Sequence, residues 1–238
     1  MAGVVLEVRD IYKSYSRGDE NVAALRGVTL TLEAGVFATL VGPSGCGKST
    51  LLHVCGAMDR PTTGEVLFEG CSLRSLDDGA LTRLRRGRIG FVFQFFNLLP
   101  TLTVSENIGL PLLLTGQRPD SVEMLAMRWA ERVGIAHRIH HFPSQLSGGE
   151  AQRAAIARAI IHEPAIVLAD EPTGNLDSDA GECILSLLQE VNRELGTVLL
   201  LATHDQSVAA AADQRIRMRD GRIVEIDGAG CAAGRSLT

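Results

Sequence analysis

The stretch that decides the fold is Gly42-Pro43-Ser44-Gly45-Cys46-Gly47-Lys48-Ser49, which directly follows the apolar run 36–41. It matches the pattern G-x-x-x-x-G-K-[ST], in which glycines let the loop curl so that successive backbone N–H groups face a bound phosphate. Residues 49–55 are predicted to form a helix whose positive N-terminal end points at the same anion. The stretch therefore predicts a nucleoside triphosphate site between a buried strand and a helix.

The end of this loop carries the side chains that are expected to touch the nucleotide. Lys48 is expected to reach the β- and γ-phosphates and the Ser49 hydroxyl to ligate Mg²⁺, with Thr50 as their neighbour in the binding set. The chain has 23 Lys and Arg residues, of which only Lys13 and Lys48 are lysines. In such an arginine-rich chain, a lysine at position 48 indicates a site where a compact point charge matters.

A pair of acids follows a second apolar run, in the order Leu168-Ala169-Asp170-Glu171. P-loop enzymes hold Mg²⁺ through an Asp at the end of a core strand, so Asp170 is predicted to be a metal ligand. Glu171 is one residue further along and is expected to accept a proton from the attacking water. The alternative interpretation is a pair of solvated carboxylates at a strand end.

The remaining apolar runs predict the fold class. Runs 89–93, 166–169 and 198–202 lack polar alternation, which indicates strands buried on both faces of a mostly parallel sheet covered by helices. Residues 4–8 and 28–32 alternate like half-buried strands and predict an antiparallel β part near the N-terminus, with a polar loop at 16–21. Helix formers dominate 94–162. We therefore expect an α/β protein with a P-loop core and a helical insertion.

The bulk composition excludes several classes of protein. The formal charge is −5 and no block of basic residues occurs, which argues against a nucleic-acid partner. The longest apolar stretches fall short of the ~18 residues that a membrane span requires, and the N-terminus lacks a signal-peptide pattern. Five dispersed cysteines without a C-x-x-C pair indicate reduced thiols and no zinc site. We expect a cytoplasmic protein whose membrane contact comes only through a partner.

A second glycine-containing motif, Leu146-Ser147-Gly148-Gly149-Glu150, precedes the acid pair by about twenty residues and opens an Ala- and Arg-rich helix predicted at 151–161. Chemically it is another anion site, with Ser147 as the N-cap and two glycines that leave backbone N–H groups open. Together with the P-loop and the acid pair, it resembles the signature LSGG-[QE] of the ATP-binding cassette family. Glu150, where many relatives have Gln, is a minor departure that spares Ser147 and both glycines.

The resemblance implies roles for further residues. Gln94 resembles the glutamine that contacts Mg²⁺ and the attacking water and senses the permease, and His204 resembles the switch histidine that contacts the γ-phosphate. Tyr15 is similar to the aromatic residue that stacks on adenine, although Tyr12 is close by and Tyr15 could simply pack. The run Gly174-Asn175-Leu176-Asp177 resembles the loop that crosses between subunits.

The family resemblance thus implies ATP and Mg²⁺ as cofactors and an ATP-hydrolysing single domain over 1–238. Its core is expected at 1–93 and 164–226, its helical subdomain at about 94–163 and a flexible tail at 227–238. Each ATP is expected to lie in a homodimer between one subunit's P-loop and the other's signature. The catalytic set is Glu171, His204 and Gln94, and the metal set is Ser49, Gln94 and Asp170. The nucleotide-binding set is Tyr15, Gly42, Pro43, Ser44, Gly45, Cys46, Gly47, Lys48, Ser49, Thr50, Ser147, Gly148 and Gly149.

Segments 58–64, 93–108 and 110–112 resemble the lipoprotein-release and macrolide-export branch of the family, whose permeases have four membrane helices and a large extracytoplasmic domain. This implies an ATPase subunit on the inner face of the cell membrane, coupled to a separate permease. An ATPase of an amino-acid-type importer and a non-transport ABC ATPase remain alternatives. An apolar cluster after Gln94 is expected either to receive a coupling helix of the permease or, in part, to pack the core; it comprises Phe95, Phe96, Leu98 and Leu99.

Two further groups of residues carry weaker alternatives. His137, His140 and His141 have the i, i+3, i+4 spacing with which a helix can present metal ligands, but no acid lies in that turn. Four arginines at 83, 85, 86 and 88 indicate a solvated face near the permease or lipid headgroups.

Overall fold

The computed structural model describes residues 3–17 and 20–228. The strands are β1 (Val4–Arg17), β2 (Glu20–Glu33), β3 (Phe37–Val41), β4 (Thr63–Phe68), β5 (Cys71–Ser72), β6 (Ile89–Val92), β7 (Ile166–Asp170), β8 (Val198–Thr203), β9 (Gln214–Arg219) and β10 (Arg222–Gly228). The helices are α1 (Lys48–Cys55), α2 (Asp78–Arg88), α3 (Val104–Leu114), α4 (Pro119–Arg132), α5 (Gly148–Ile160), α6 (Ser178–Leu195) and α7 (Gln206–Ala210).

The central sheet has six strands in the order β10-β9-β3-β8-β7-β6, and all neighbours are parallel except β10 against β9. Every residue of β3 and β8 is buried, as the unbroken apolar runs predict for strands covered on both faces. The expectation of a mostly parallel sheet is therefore confirmed.

The second sheet is antiparallel, in the order β2-β1-β4-β5. The strands predicted at 4–8 and 28–32 are parts of the longer β1 and β2. The loop predicted at 16–21 is shorter in the structure, because both of its ends belong to strands. Ser16 of β1 pairs with Asn21 of β2, and the Ser16 hydroxyl donates to Asn21 Oδ1 at 2.9 Å. Residues 18–19 lie outside the described part of the chain, as do 229–238 of the predicted tail.

The segment between β6 and β7 contains α3, α4 and α5, which confirms the predicted helical insertion. A capping box starts α3, with Thr103 as N-cap and Glu106 at the third helical position. The central sheet separates two apolar clusters, because adjacent residues of a strand point to opposite faces. Leu200 belongs to the cluster shared with α1 and the antiparallel sheet, whereas Leu199 and Leu201 pack with α3–α6.

The register of the parallel strands brings their carboxyl ends together. Val41 pairs with Thr203, and Asp170 pairs with Ala202. The loops that follow β3, β7 and β8 therefore leave the sheet at one edge, where open α/β sheets bind ligands. Within the described residues, no helix has both the length and the apolar character needed to cross a membrane.

Candidate active site

The loop between β3 and α1 depends on glycine at two points of close approach. Gly47 has φ 104°, in the left-handed region, and a Cβ at this position would lie 2.6 Å from the Ala24 carbonyl oxygen. A Cβ at Gly42 would lie 2.3 Å from the carbonyl oxygen of Met218. Any larger residue at either position would push the loop away from its neighbouring backbone.

Lys48 begins α1 and is only 6% exposed. Its Nζ donates to the carbonyl oxygens of Gly42, at 2.8 Å, and Pro43, at 3.2 Å. The ammonium is thus folded over the loop, where phosphate oxygens can replace the two carbonyls as its acceptors.

Asp170 ends β7 and provides a candidate metal ligand. Burial raises the pKa of this carboxyl, while a hydrogen bond with the Ser49 side chain lowers it. Its Oδ1 is buried and has no hydrogen-bond partner among the described residues. A buried carboxylate oxygen without a partner, next to a serine hydroxyl, matches the oxygen ligands that Mg²⁺ prefers. The residues present therefore fit the metal that the sequence implies.

Glu171 and His204 are in direct contact, with His204 Nδ1 2.7 Å from Glu171 Oε2. Glu171 has φ 47°, and its N–H donates to the Ala202 carbonyl at 2.9 Å, beyond the end of the β7 strand. A left-handed conformation costs a residue other than glycine about 1–3 kcal/mol and occurs often at functional sites. The strained backbone at Glu171 directs its carboxylate towards His204 and Gly174.

Gln94 joins this pair through the loop 174–177. A Cβ at Gly174 would lie 3.3 Å from Gln94 Nε2 and 3.4 Å from Glu171 Oε2, so the two side chains converge on this glycine. Asn175 Nδ2 donates to the Gln94 carbonyl at 2.8 Å. The three residues predicted as catalytic are thus brought together at the edge of the sheet.

The structure distinguishes the two tyrosines of β1. The Tyr15 hydroxyl donates to Asp59 Oδ2 at 2.8 Å and has Thr50, next to the P-loop, as a further polar neighbour. The Tyr12 hydroxyl lies instead beside Gly27, 3.0 Å from where a Cβ of that residue would be. Tyr15 is therefore the tyrosine of β1 that lies beside the end of the loop between β3 and α1. Sequence reasoning gave Asp59 no role at the site, although it lies in the segment 58–64 that carries part of the branch resemblance.

Ser147 is the N-cap of α5, as predicted, and accepts a hydrogen bond from the Glu150 N–H. Gly148 lies against the loop 174–177, where its Cβ would be 3.4 Å from Leu176 Cδ2. The two predicted anion sites have different surroundings, because α5 packs on α3, α4, α6 and β6 whereas α1 packs on β1, β2, β7 and β8. A single chain thus groups the P-loop with Asp170, Glu171 and His204, and carries the signature on a separate helix.

The histidines at 137–141 do not form the helical array that a metal site there would need. The segment is a 3-10 turn over Ala136–Arg138 followed by an irregular turn. His137 Nε2 lies 3.3 Å from Glu150 Oε1, and His141 Nε2 lies 3.3 Å from Arg138 Nη1. In the described part of the chain, no three His, Cys, Asp or Glu side chains are arranged to hold a metal ion.

Comparison with known proteins agrees with this geometry. The family described as "ABC transporter" matches residues 25–174. The lipoprotein-releasing system ATP-binding protein LolD of Myxococcus xanthus is 46% identical over 221 residues, which cover 93% of this chain and 99% of that protein. LolD of Geobacter metallireducens is 46% identical over 92% of this chain and 98% of its own. The dimeric, post-hydrolysis structure of the ATP-binding cassette MJ0796, bound to ADP and Pi, superposes with a TM-score of 0.88 at 40% identity, over 94% of this chain and 98% of that one. The chain therefore belongs to the ABC transporter family, as one of its ATP-binding domains.

Proposed function

We propose that this chain is the ATP-hydrolysing subunit of an ABC transporter of the lipoprotein-release type and drives a separate membrane permease. The observation that carries the hydrolytic part is the contact between His204 Nδ1 and Glu171 Oε2 at 2.7 Å, beside Gln94 and the P-loop. The two LolD relatives, each aligned over more than nine tenths of the chain, support the branch.

The chemistry is phosphoryl transfer from ATP to water. The P-loop N–H groups and Lys48 bind the phosphates, and the buried oxygen of Asp170 with the hydroxyl of Ser49 and the amide of Gln94 would hold Mg²⁺, which neutralises phosphate charge when bound. The Glu171 carboxylate takes a proton from the attacking water. His204 orients that carboxylate, and the Gln94 amide positions the water. The products are ADP and phosphate.

We further propose that two copies of the chain form the complete site. Ser147, Gly148 and Gly149 offer the open N-terminal turn of α5, to which Ser147 is the N-cap. Each ATP would lie between the P-loop of one protomer and this turn of the other. The dimeric cassette MJ0796, at 40% identity, supports this arrangement.

The permease is proposed to dock beside the Gln94 loop. A cleft of about 370 Å³ lies there between α2 and α3, and its lining combines apolar residues with arginines, including Phe93, Leu110, Pro111, Arg85 and Arg86. Of the apolar cluster after Gln94, Phe95 is 72% exposed and Leu99 is also exposed, whereas Phe96 and Leu98 are half-buried. The exposed pair extends the apolar surface towards a coupling helix.

The same proposal defines the domain organisation and the location. The chain is one ABC ATPase domain with its core at 1–93 and 164–226 and its helical subdomain at about 94–163. Docking on a permease would hold it at the inner, cytoplasmic face of the membrane. We propose no nucleic-acid partner.

The substitution Glu171→Gln tests the hydrolytic role. Because the amide cannot accept the proton, phosphate release should fall about 10²–10⁴-fold. ATP should still close the dimer, since the amide leaves the phosphate contacts intact, and gel filtration with ATP measures this. Glu190→Gln, an exposed glutamate of α6, is the matched control and should change neither property. Near-normal hydrolysis by Glu171→Gln would contradict the proposal.

The transport role is tested by co-purification from detergent-solubilised membranes, with phosphate release measured with and without the partner. We expect a permease with four spans and a large outer domain that changes the ATPase rate, and weaker capture by the variant Phe95→Glu. An importer-type permease would overturn the lipoprotein-release assignment. A protein without any membrane partner would overturn the transport role and leave the ATPase standing.

A further inference from the structure

Three side chains meet at the base end of the proposed ATP site. Asp59 Oδ1 accepts from Lys13 Nζ at 2.6 Å, and Asp59 Oδ2 accepts from the Tyr15 hydroxyl at 2.8 Å. Lys13 Nζ also donates to the Arg60 carbonyl at 2.8 Å, and the Arg60 N–H donates back to Asp59 Oδ1 at 2.8 Å. The turn 59–60 thus ties the end of β1 to the core of the domain.

Lys13 also lies against the Tyr15 ring, with Nζ 4.8 Å from the ring centroid. The Lys13 side chain is only 12% exposed, so this charge is largely shielded from solvent. Tyr15 remains 39% exposed and can accept another planar group. A cation near an aromatic ring is attracted by the negative electrostatic potential of the ring face. Burial raises the pKa of Asp59, but the hydrogen bonds from Lys13, Tyr15 and the Arg60 N–H, together with the charge of Lys13, outweigh burial and lower the pKa overall.

The choice of lysine at position 13 has a physical reason. The chain uses arginine almost everywhere and has only two lysines, Lys13 and Lys48. An ammonium is a compact charge with three donors, whereas a guanidinium is a wide, planar fork. The ammonium of Lys13 fits between a carboxylate, a carbonyl and the face of a ring. Each lysine thus stands at one end of the nucleotide in the proposed binding mode.

We propose that Lys13 and Asp59 are positioning residues that hold the Tyr15 ring as the platform for the nucleotide base. The proposal rests on the proposed function, which takes Tyr15 as the residue that stacks on adenine. Tyr15 lies two residues before the end of β1, which belongs to the antiparallel sheet, and pairs there with Val22 of β2. Because the ring is fixed before the base arrives, binding avoids the entropy cost of ordering it. Loss of either residue should therefore weaken contacts to the base and spare contacts to the phosphates.

The experiment compares the dissociation constants of Mg·ADP and of Mg·pyrophosphate, which lacks the base, by titration calorimetry on the full chain. Tyr15→Ala should weaken ADP about 10- to 100-fold, as loss of a base–aromatic stack does. Asp59→Asn and Lys13→Met should weaken ADP about 3- to 10-fold, with pyrophosphate changed less than about twofold. Lys13→Arg should behave like Lys13→Met. The matched control is Asp78→Asn, an exposed carboxylate 2.9 Å from Arg60, which should change neither constant.

A double-mutant cycle tests the coupling between the two residues. Tyr15→Phe keeps the ring and removes the hydrogen bond to Asp59, so it should reproduce Asp59→Asn. The double variant should be no weaker than either single variant, because both remove the same contact. Additive losses would overturn the proposal.

Three further outcomes would overturn it, each for a different reason. Equal weakening of ADP and pyrophosphate by Asp59→Asn would show a general structural defect. An unchanged ADP constant in Asp59→Asn would show that Tyr15 needs no positioning. If Tyr15→Ala left ADP binding unchanged, the base platform itself would be wrong while the P-loop site stood. A wild-type chain that bound neither ligand would instead contradict the proposed function.

Discussion

Asn107 fixes the loop after Gln94 through one fully buried side chain. Its Oδ1 accepts from the Leu99 N–H at 2.7 Å, and its Nδ2 donates to the carbonyls of Leu99, Leu102 and Thr103 at 2.9–3.1 Å. These contacts hold the segment that connects Gln94 to α3. A buried amide with every polar atom paired is costly to remove.

The variant Asn107→Ala should therefore lose about 2–4 kcal/mol of unfolding free energy, since it removes the partners of the Leu99 N–H and the Leu102 carbonyl and leaves a cavity at a fully buried position. Urea denaturation followed by circular dichroism measures the loss. Gln117→Ala, an exposed amide just beyond α3, should change stability by less than about 0.5 kcal/mol. Equal stability of the two variants would show that water or a rearranged loop replaces the Asn107 contacts.

At the same residue scale, the sequence predicted those members of the site that stand in contiguous motifs. Lys48 and Ser49 follow the glycines of one loop, and Asp170 and Glu171 end one apolar strand. Asp59 was not predicted, because its contact with Lys13 joins residues 46 positions apart that only the folded chain brings together. Nothing in the local sequence of Asn107 reveals that its amide closes a loop.

At the scale of elements, prediction succeeded where burial is continuous. The strands β3, β6, β7 and β8 are mostly apolar and almost wholly buried, and their predicted ends lie within a residue or two of the observed ones. Helix α2 was not recognised, because only Leu81 of its few apolar residues is fully buried and arginine dominates its sequence. Side-chain contacts also hold this helix in place, such as the hydrogen bond from Arg85 to the Ala57 carbonyl at 2.8 Å.

The N-terminus of α5 is stabilised by the negative charge of the Glu150 carboxylate. The Glu150 carboxylate accepts from Arg138 Nε at 2.8 Å and from the Ser147 N–H and hydroxyl at 2.8 and 2.9 Å. Chiefly through the hydrogen bond from Arg138, these contacts lower the pKa of Glu150 to about 2. The negative charge at this helix N-terminus also faces the positive end of the helix dipole.

Because the folded-state pKa lies below the unfolded value, the contribution of Glu150 to stability is present above about pH 4.5 and is lost as the pH falls towards 2. The isosteric Glu150→Gln should be less stable than the wild type at pH 7, and the difference should shrink below pH 4.5. Urea denaturation across that range measures it. Glu123→Gln, an exposed glutamate of α4, should show no such pH-dependent difference. If the stability difference between Glu150→Gln and the wild type did not change with pH, the shape of the Glu150 side chain and not its charge would account for its contribution.

At the scale of the whole molecule, the P-loop and the signature turn belong to different neighbourhoods of one chain, since α1 lies against the two sheets and α5 against the helices. The dimer was predicted from the family resemblance alone. The sequence analysis identified no apolar stripe or charge pattern that marks a dimer interface. In the single chain, the signature turn is capped by Ser147 and lies on a different helix from the P-loop. A site shared between two protomers would use the two motifs from different chains.

A mixing experiment tests this arrangement, with every chain also carrying Glu171→Gln so that bound ATP persists. Lys48→Ala removes the lysine proposed to bind the phosphates, and Ser147→Arg blocks the signature turn. Neither variant alone has a complete site, so neither should dimerise with ATP, although Ser147→Arg should still bind ATP. In a mixture, the P-loop of a Ser147→Arg chain meets the intact signature of a Lys48→Ala chain, and about half of random pairs would carry one complete site. Gel filtration should therefore show an ATP-dependent dimer only in the mixture.

The control is a chain that carries both Lys48→Ala and Ser147→Arg. Mixed with either single variant, it forms no complete site, so no ATP-dependent dimer should appear. If the Ser147→Arg variant formed a dimer without the Lys48→Ala variant, or failed to bind ATP, the signature turn would act within its own chain. The proposal of a site shared between two protomers would then be wrong.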